Sequence, residues 1–276
     1  MKKIKIFAMM TCLVTAMAGL VGCGSQTSSD ETAGPAAVCY AIAPTANSQG
    51  LNMNSPLVQD MAYDTILGYG YISVVTIDGN PELVAADSYD IPEQYKSAPK
   101  EKLKTDARSN ATNLITFMEN EVANDAQVDY LEGLRIAVRS LNSLEGYNSK
   151  TIVVIGTGLS TQGTLNFQNN LLSAEPEAVL DLLEEKNEIP DLTGMTVVWQ
   201  QLGDVAAPQQ SLTQSQKARL QEIWGGIVER GGGIFVYNDI MANPVDTEVS
   251  FPEVDTVDLP EETPVKFDEA MLDEEN

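Results

Sequence analysis

Thr151-Ile152-Val153-Val154-Ile155 runs straight into Gly156-Thr157-Gly158-Leu159-Ser160-Thr161. An unbroken β-branched run describes a strand covered on both faces, not one with a wet side. Parallel sheets have such strands, because the crossover helices that parallel pairing needs cover both faces. The same grammar repeats on either side. Val38–Ala43 is a short apolar run closed by Pro44, and Tyr71–Ile77 is aromatic and β-branched, ending in Asp78-Gly79-Asn80-Pro81. Thr196–Trp199 leads to Leu202-Gly203-Asp204, and Ile234–Tyr237 reads as a fifth strand.

Helical spacing fills the intervals. Pro56–Tyr69 carries Leu57, Met61, Ile66 and Leu67, with Ser55 as a cap and proline at the first helical position. Residues 100–125 place Leu103, Ala107, Leu114, Phe117, Met118 and Val122 inward. Asp129–Leu144, Pro176–Asn187 and Gln214–Arg230 follow, the last stopped by Gly231-Gly232-Gly233. Strands alternating with helices imply an α/β fold over residues 38–240: a three-layer, doubly wound, mainly parallel sheet.

The ends differ from this middle. Lys2, Lys3 and Lys5 precede a short apolar stretch that finishes in Leu20-Val21-Gly22-Cys23. A basic start, an apolar run of about a dozen residues and a small residue before the cut describe an export signal, too short for the roughly 20 residues of a membrane span. Leu-x-Gly-Cys resembles the lipobox of bacterial lipoproteins. That resemblance implies that residues 1–22 are removed, and that Cys23 carries a diacylglycerol lipid holding the protein on the extracytoplasmic face of the cell membrane. Residues 23–37, rich in Ser, Thr, Gly and Ala, then form a flexible tether. Residues 241–276 form an acidic linker or tail, with twelve acidic residues and one lysine from 245 onward. Its apolar beats, Val249, Phe251, Val254, Val257 and Leu259, are spaced to permit an edge strand.

Composition narrows the function. A net charge of −24 repels phosphate backbones, so nucleic acid is not expected as a partner. The chain has no histidine, which removes the commonest general base, the usual partner of a Ser or Cys nucleophile and the commonest zinc ligand. Of the three cysteines, Cys12 lies in the signal and Cys23 at the lipid site. Cys39, in an apolar strand, reads as a buried inert thiol. No GxxxxGK[ST] loop or GxSxG elbow occurs, and Gly156-x-Gly158 lacks the third glycine of a dinucleotide fingerprint. No cofactor is called for, and no catalytic residue is assigned.

In an open α/β sheet the crevice lies at the carboxyl ends of the strands. There the sequence offers Asn47 and Ser48 after the first strand, Asp78 after the second, Ser160 and Thr161 after the third, and Asp204 after the fourth. Carboxylates among hydroxyls suit a hard cation such as magnesium. The same residue types also cap helices and build turns at strand-to-helix junctions.

Several stretches resemble a bacterial family of exported proteins with a von Willebrand factor A-like domain, often followed by an OmpA-like peptidoglycan-binding domain. They are Gly158-Leu159-Ser160-Thr161-Gln162-Gly163 with Leu165-Asn166-Phe167, Ile189-Pro190-Asp191-Leu192-Thr193-Gly194, and Leu202-Gly203-Asp204 with Ala207-Pro208-Gln209. Ala46-Asn47-Ser48 and Asp78-Gly79-Asn80-Pro81 belong with them. Leu259–Glu275 resembles the linker into the OmpA-like domain, which is itself not among these residues. The parent fold places a metal in a DxSxS loop after the first strand. Here that loop reads Ala43-Pro44-Thr45-Ala46-Asn47-Ser48, without an aspartate, so no metal site is expected.

The expectation is a non-catalytic interaction module of the cell envelope, contacting an envelope protein or the cell wall. The alternative is a metal-dependent hydrolase built on Asp78 and Asp204. A solute-binding component is disfavoured, because a second lobe does not fit within about 200 folded residues.

Overall fold

The computed structural model describes residues 35–48, 50–89, 98–238 and 254–259. The signal, Cys23 and most of the tether lie outside the described residues, as does most of the acidic segment.

Among the described residues, six strands form one sheet: β1 (Ala36–Ile42), β2 (Tyr71–Thr76), β3 (Glu82–Ser88), β4 (Ser149–Ile155), β5 (Met195–Gln200) and β6 (Ile234–Asn238). Their order is β3-β2-β1-β4-β5-β6, with β3 antiparallel to β2 and every other pairing parallel. The fold class is therefore the expected one, a three-layer doubly wound α/β domain. The strand order reverses between β1 and β4, which makes their carboxyl ends the switch point.

Five helices cover the sheet: α1 (Pro56–Leu67), α2 (Lys100–Glu119), α3 (Tyr130–Asn142), α4 (Pro176–Glu185) and α5 (Gln214–Arg230). Successive β1 side chains point to opposite faces. Val38, Tyr40 and Ile42 pack in the layer of α1 and α2, with Val58, Ala62, Ala107 and Met118. Ala37, Cys39 and Ala41 pack in the layer of α3, α4 and α5, with Leu134, Val179, Leu220 and Trp224. Each fully buried leucine or valine contributes about 2 kcal/mol of transfer free energy, so both faces hold their helices mainly by this burial.

The helix starts follow local chemistry. Ser55 accepts from the Val58 N–H with Pro56 at the first turn, as its sequence position indicates. Asp129 accepts from the Glu132 N–H, and Thr213 with Gln216 closes a capping box on α5. Arg230, at the end of α5, reaches Glu177, Asp181 and Glu184 along α4 and clips the two helices together.

Four features depart from the expectations. β3 was not anticipated: Glu82-Leu83-Val84-Ala85-Ala86-Asp87-Ser88 has weak strand composition and, among the described strands, pairs only with β2, with a register shift at Val74/Val75. The helix expected over residues 100–125 ends at Glu119, and Phe117 and Val122, read as inward, are exposed. β1 begins at Ala36, inside the stretch assigned to the tether, because Ala37 is fully buried between β2 and β4. Finally, residues 254–259, expected in a solvated tail, pack on the core through Val254 and Val257 without joining the sheet. Cys39 is buried as expected, and desolvation pushes its thiol up to about 11 despite nearby Ser73 and Ser140 hydroxyls.

Candidate functional site

The switch-point loops are built around an aromatic cluster. Tyr130 opens α3, Trp199 lies on β5 and Trp224 on α5. Their rings meet at centroid separations of 5.7, 6.2 and 4.7 Å. Each indole N–H finds a carbonyl in the loop after β4: Trp199 Nε1 donates to Gly156 O and Trp224 Nε1 to Gly158 O, both at 2.9 Å. Gly158 has φ of +76°, and a Cβ there would collide with Leu202. The Gly156-x-Gly158 pair thus serves close aromatic packing, not a pyrophosphate. Burial pushes the Tyr130 hydroxyl up to about 12, with Thr157 as a hydrogen-bond neighbour.

The hydroxyls of this loop are used internally. Ser160 Oγ accepts from the Tyr130 N–H at 3.1 Å, and Thr161 Oγ1 accepts from the Val128 N–H at 3.0 Å. Both side chains are buried. They tie the β4 loop to the start of α3.

After β1, the Thr45 hydroxyl donates to Asn47 Oδ1 at 2.7 Å, and the Ser48 hydroxyl donates to the Thr45 carbonyl at 2.8 Å. Ser48 forms an antiparallel bridge with Val205, and the Ala206 N–H donates to the Asn47 carbonyl. Among the described residues, Asn47 Nδ2 is a buried side-chain donor without a partner. An N–H donor suits an acceptor such as water or a carbonyl, not a cation.

Two glutamines missed in the sequence complete the seal. Gln200 accepts from the Ser55 hydroxyl at 2.7 Å and donates to the Asn52 carbonyl at 2.8 Å. Gln201 accepts from the Asn52 N–H and donates to the Gly50 carbonyl at 2.7 Å. Both are buried and stitch the end of β5 to the segment before α1. Their signal was faint: two amides directly after an apolar strand.

The carboxylates do not converge. Asp78 is buried and accepts from the Asn80 and Asn124 N–H groups, each at 2.9 Å. Asp204 pairs with Lys217 at 2.9 Å. Asp78 follows β2 and Asp204 follows β5, with β1 and β4 between them. That separation is three strand spacings, about 14 Å, too far for one cation to bridge. The loop after β1 supplies neutral side chains already engaged with one another, so it does not fit the metal site of the parent fold. No group of three or more acidic, Cys or His side chains suited to a metal occurs among the described residues. Burial holds the carboxyl of the capping Asp129 above its ordinary value.

A different surface is open. A groove of about 520 Å³ lies between β3 and α2, lined by apolar residues such as Ile72, Val74, Leu114 and Phe117 and by the polar Asp87, Ser88, Asn110 and Asn113. Leu83 is exposed on β3.

The fold and these loops define a doubly wound α/β domain with an antiparallel edge strand and a hydrogen-bonded, closed switch point. No protein-family model matches the sequence, and no curated protein matches it. Among solved structures, the chain is similar to an aerotolerance-related membrane protein from Bacteroides fragilis, at 15% identity over 75% of this chain and 92% of that one, with a TM-score of 0.36. It is also similar to the conserved hypothetical protein BatB from Bacteroides thetaiotaomicron, at 14% identity over 75% and 91%, with a TM-score of 0.33. A third is the PilB minor pilin from Streptococcus sanguinis, at 12% identity over 77% of this chain and 59% of that one, with a TM-score of 0.41. Likenesses this distant carry no weight for function, and the fold class rests on the strand order and layers. No helix among the described residues is long and apolar enough to cross a membrane.

Proposed function

We propose that this chain is an extracytoplasmic lipoprotein, anchored by lipid on Cys23, that presents a von Willebrand factor A-like domain as a non-catalytic interaction module of the bacterial cell envelope. The observation that carries the non-catalytic part is the closure of the switch point. Ser160 and Thr161 spend their oxygens on the start of α3, Asn47 and Ser48 spend theirs on Thr45 within their own loop, and Asp78 and Asp204 serve separate structural contacts. The anchor is supported by the Leu20-Val21-Gly22-Cys23 ending after a short basic and apolar start. A partner in the envelope, protein or cell wall, follows from that location and from a net charge that disfavours nucleic acid.

Two measurements test the reading. Cys23→Ser abolishes incorporation of a palmitate analogue and releases the protein from the membrane fraction; unchanged labelling and fractionation would sink the anchor. Calorimetric titration of the protein with magnesium, calcium and manganese shows no saturable site. A site that disappears in Asp204→Ala would instead establish the metal-dependent alternative.

A further inference from the structure

Val254-Asp255-Thr256-Val257-Asp258-Leu259 has no regular secondary structure and meets the segment before α3 and the segments after β4 and β5. Among the described residues, the hydrogen bonds that hold it are made to its main chain. The Asp255 N–H donates to the Ala126 carbonyl at 2.8 Å, before α3. Gln168, in the segment after β4, donates from Nε2 to the Thr256 carbonyl at 3.1 Å. Gln209, after β5, takes both groups of one residue. Its Nε2 donates to the Val257 carbonyl at 2.9 Å and its Oε1 accepts from the Val257 N–H at 2.8 Å. A single side-chain amide thus imitates the neighbouring residue of a β-ladder.

The side chains divide by position. Val254 and Val257 are 7% and 3% exposed and belong to the core cluster, with Leu259 packed against it. Asp255 and Asp258 point their charges to solvent-exposed positions. Main-chain hydrogen bonds with pockets for alternate side chains are how extended peptides are recognised. Val254 and Val257, three residues apart, are the two buried anchors, and Leu259 adds a partly buried third contact.

We infer that this is an extended-peptide groove, filled by the chain's own residues 254–259 acting as a tethered ligand. Released from them, it takes in trans another extended peptide with aliphatic residues at its first and fourth positions. This goes beyond the envelope reading and stands on the groove alone, with or without a lipid on Cys23. Covalent connection gives the internal segment an effective concentration on the order of mM, so it excludes a free competitor until it lets go.

The test uses the full chain with Val254→Asp and Val257→Asp together, which expels the internal segment. The probe is a fluorescein-labelled peptide spanning residues 252–260. The expected result is saturable binding roughly a hundredfold tighter than to the parent chain, whose groove is already filled. Binding is lost when Gln209→Ala is added, and lost for the same peptide carrying Val257→Asp. A double variant that unfolds cooperatively yet does not bind the peptide overturns the proposal, as does binding indifferent to Gln209→Ala. Hydrogen exchange on the parent gives a reading independent of any variant. The Val257 amide exchanges faster than the amides of β1 and β4, through local release; exchange of all three at one common rate makes the segment ordinary core and overturns the proposal.

Discussion

The switch-point loops and the β3 edge belong to one sheet and are finished in opposite ways. At the loops, polar side chains are buried and, apart from Asn47 Nδ2, their donors and acceptors are matched within and between loops. At the edge, Leu83 is 46% exposed and Phe117 36% exposed, beside a groove about 520 Å³ in volume. The polar loops resemble a ligand site in composition and are closed. The edge mixes apolar residues with Glu82, Asp87 and Ser88 and stays open among the described residues. Polar residues after a strand therefore do not mark a site by themselves. What decides is whether their hydrogen bonds are already made.

The sharpest way to break this contrast is to strike the aromatic cluster that closes the loops. Trp224→Ala removes a fully buried indole and orphans the Gly158 carbonyl. Its expected cost is about 3–5 kcal/mol in chemical denaturation. A loss under about 1 kcal/mol would mean that the loop after β4 does not depend on the cluster.

Next is the glutamine stitch. Gln200→Leu leaves the Ser55 hydroxyl and the Asn52 carbonyl without their partner, for a loss of about 1–3 kcal/mol. Hydrogen exchange should quicken over residues 50–55 with little change in β1. Unchanged exchange there would show that the stitch is incidental.

Asp129 offers a pH test of the same closed region. Its carboxyl titrates above the ordinary 3.8 because burial disfavours the charged form. A raised folded pKa means that the native state binds more protons than the unfolded chain, so this contribution is full below pH 3.8 and is lost as pH rises through the folded value. Asp129→Asn keeps a capping side chain and removes the titration. The stability of the variant relative to the parent should therefore rise as pH rises above 3.8 and level off once the folded carboxyl is ionised. A flat difference would assign the carboxyl an ordinary pKa.

The smallest effect is expected at the edge. Leu83→Thr exchanges an exposed aliphatic for a strand-compatible polar residue and should change stability by less than about 0.5 kcal/mol. A loss above about 2 kcal/mol would show that the edge is covered and the contrast false.

Much of the architecture was legible because burial repeats with a period. Ile152-Val153-Val154-Ile155 announces a doubly covered strand, and Gln214–Arg230 announces a helix with its cap and stop. β3 was illegible for the matching reason: an edge strand with one neighbour and exposed side chains needs no apolar run. Phe117 and Val122 misled because helical spacing gives a face without saying how far the neighbouring layer extends. At the site, the residue types after each strand allowed both a ligand crevice and a set of caps and turns, and the sequence did not say which contacts each side chain makes. Val254 and Val257 were visible as apolar beats, yet an acidic segment gave no hint that Gln209 would pair with its backbone.

The sequence alone determined the layers, because strand and helix periodicity are local and each run states which of its faces must leave water. Tertiary structure alone decided what the polar loops do. Ser55 meets Gln200 across 145 residues, and Val257 meets Gln209 across 48. A hydrogen bond requires a donor within about 3 Å of its acceptor, and no local pattern specifies which distant residue will stand there.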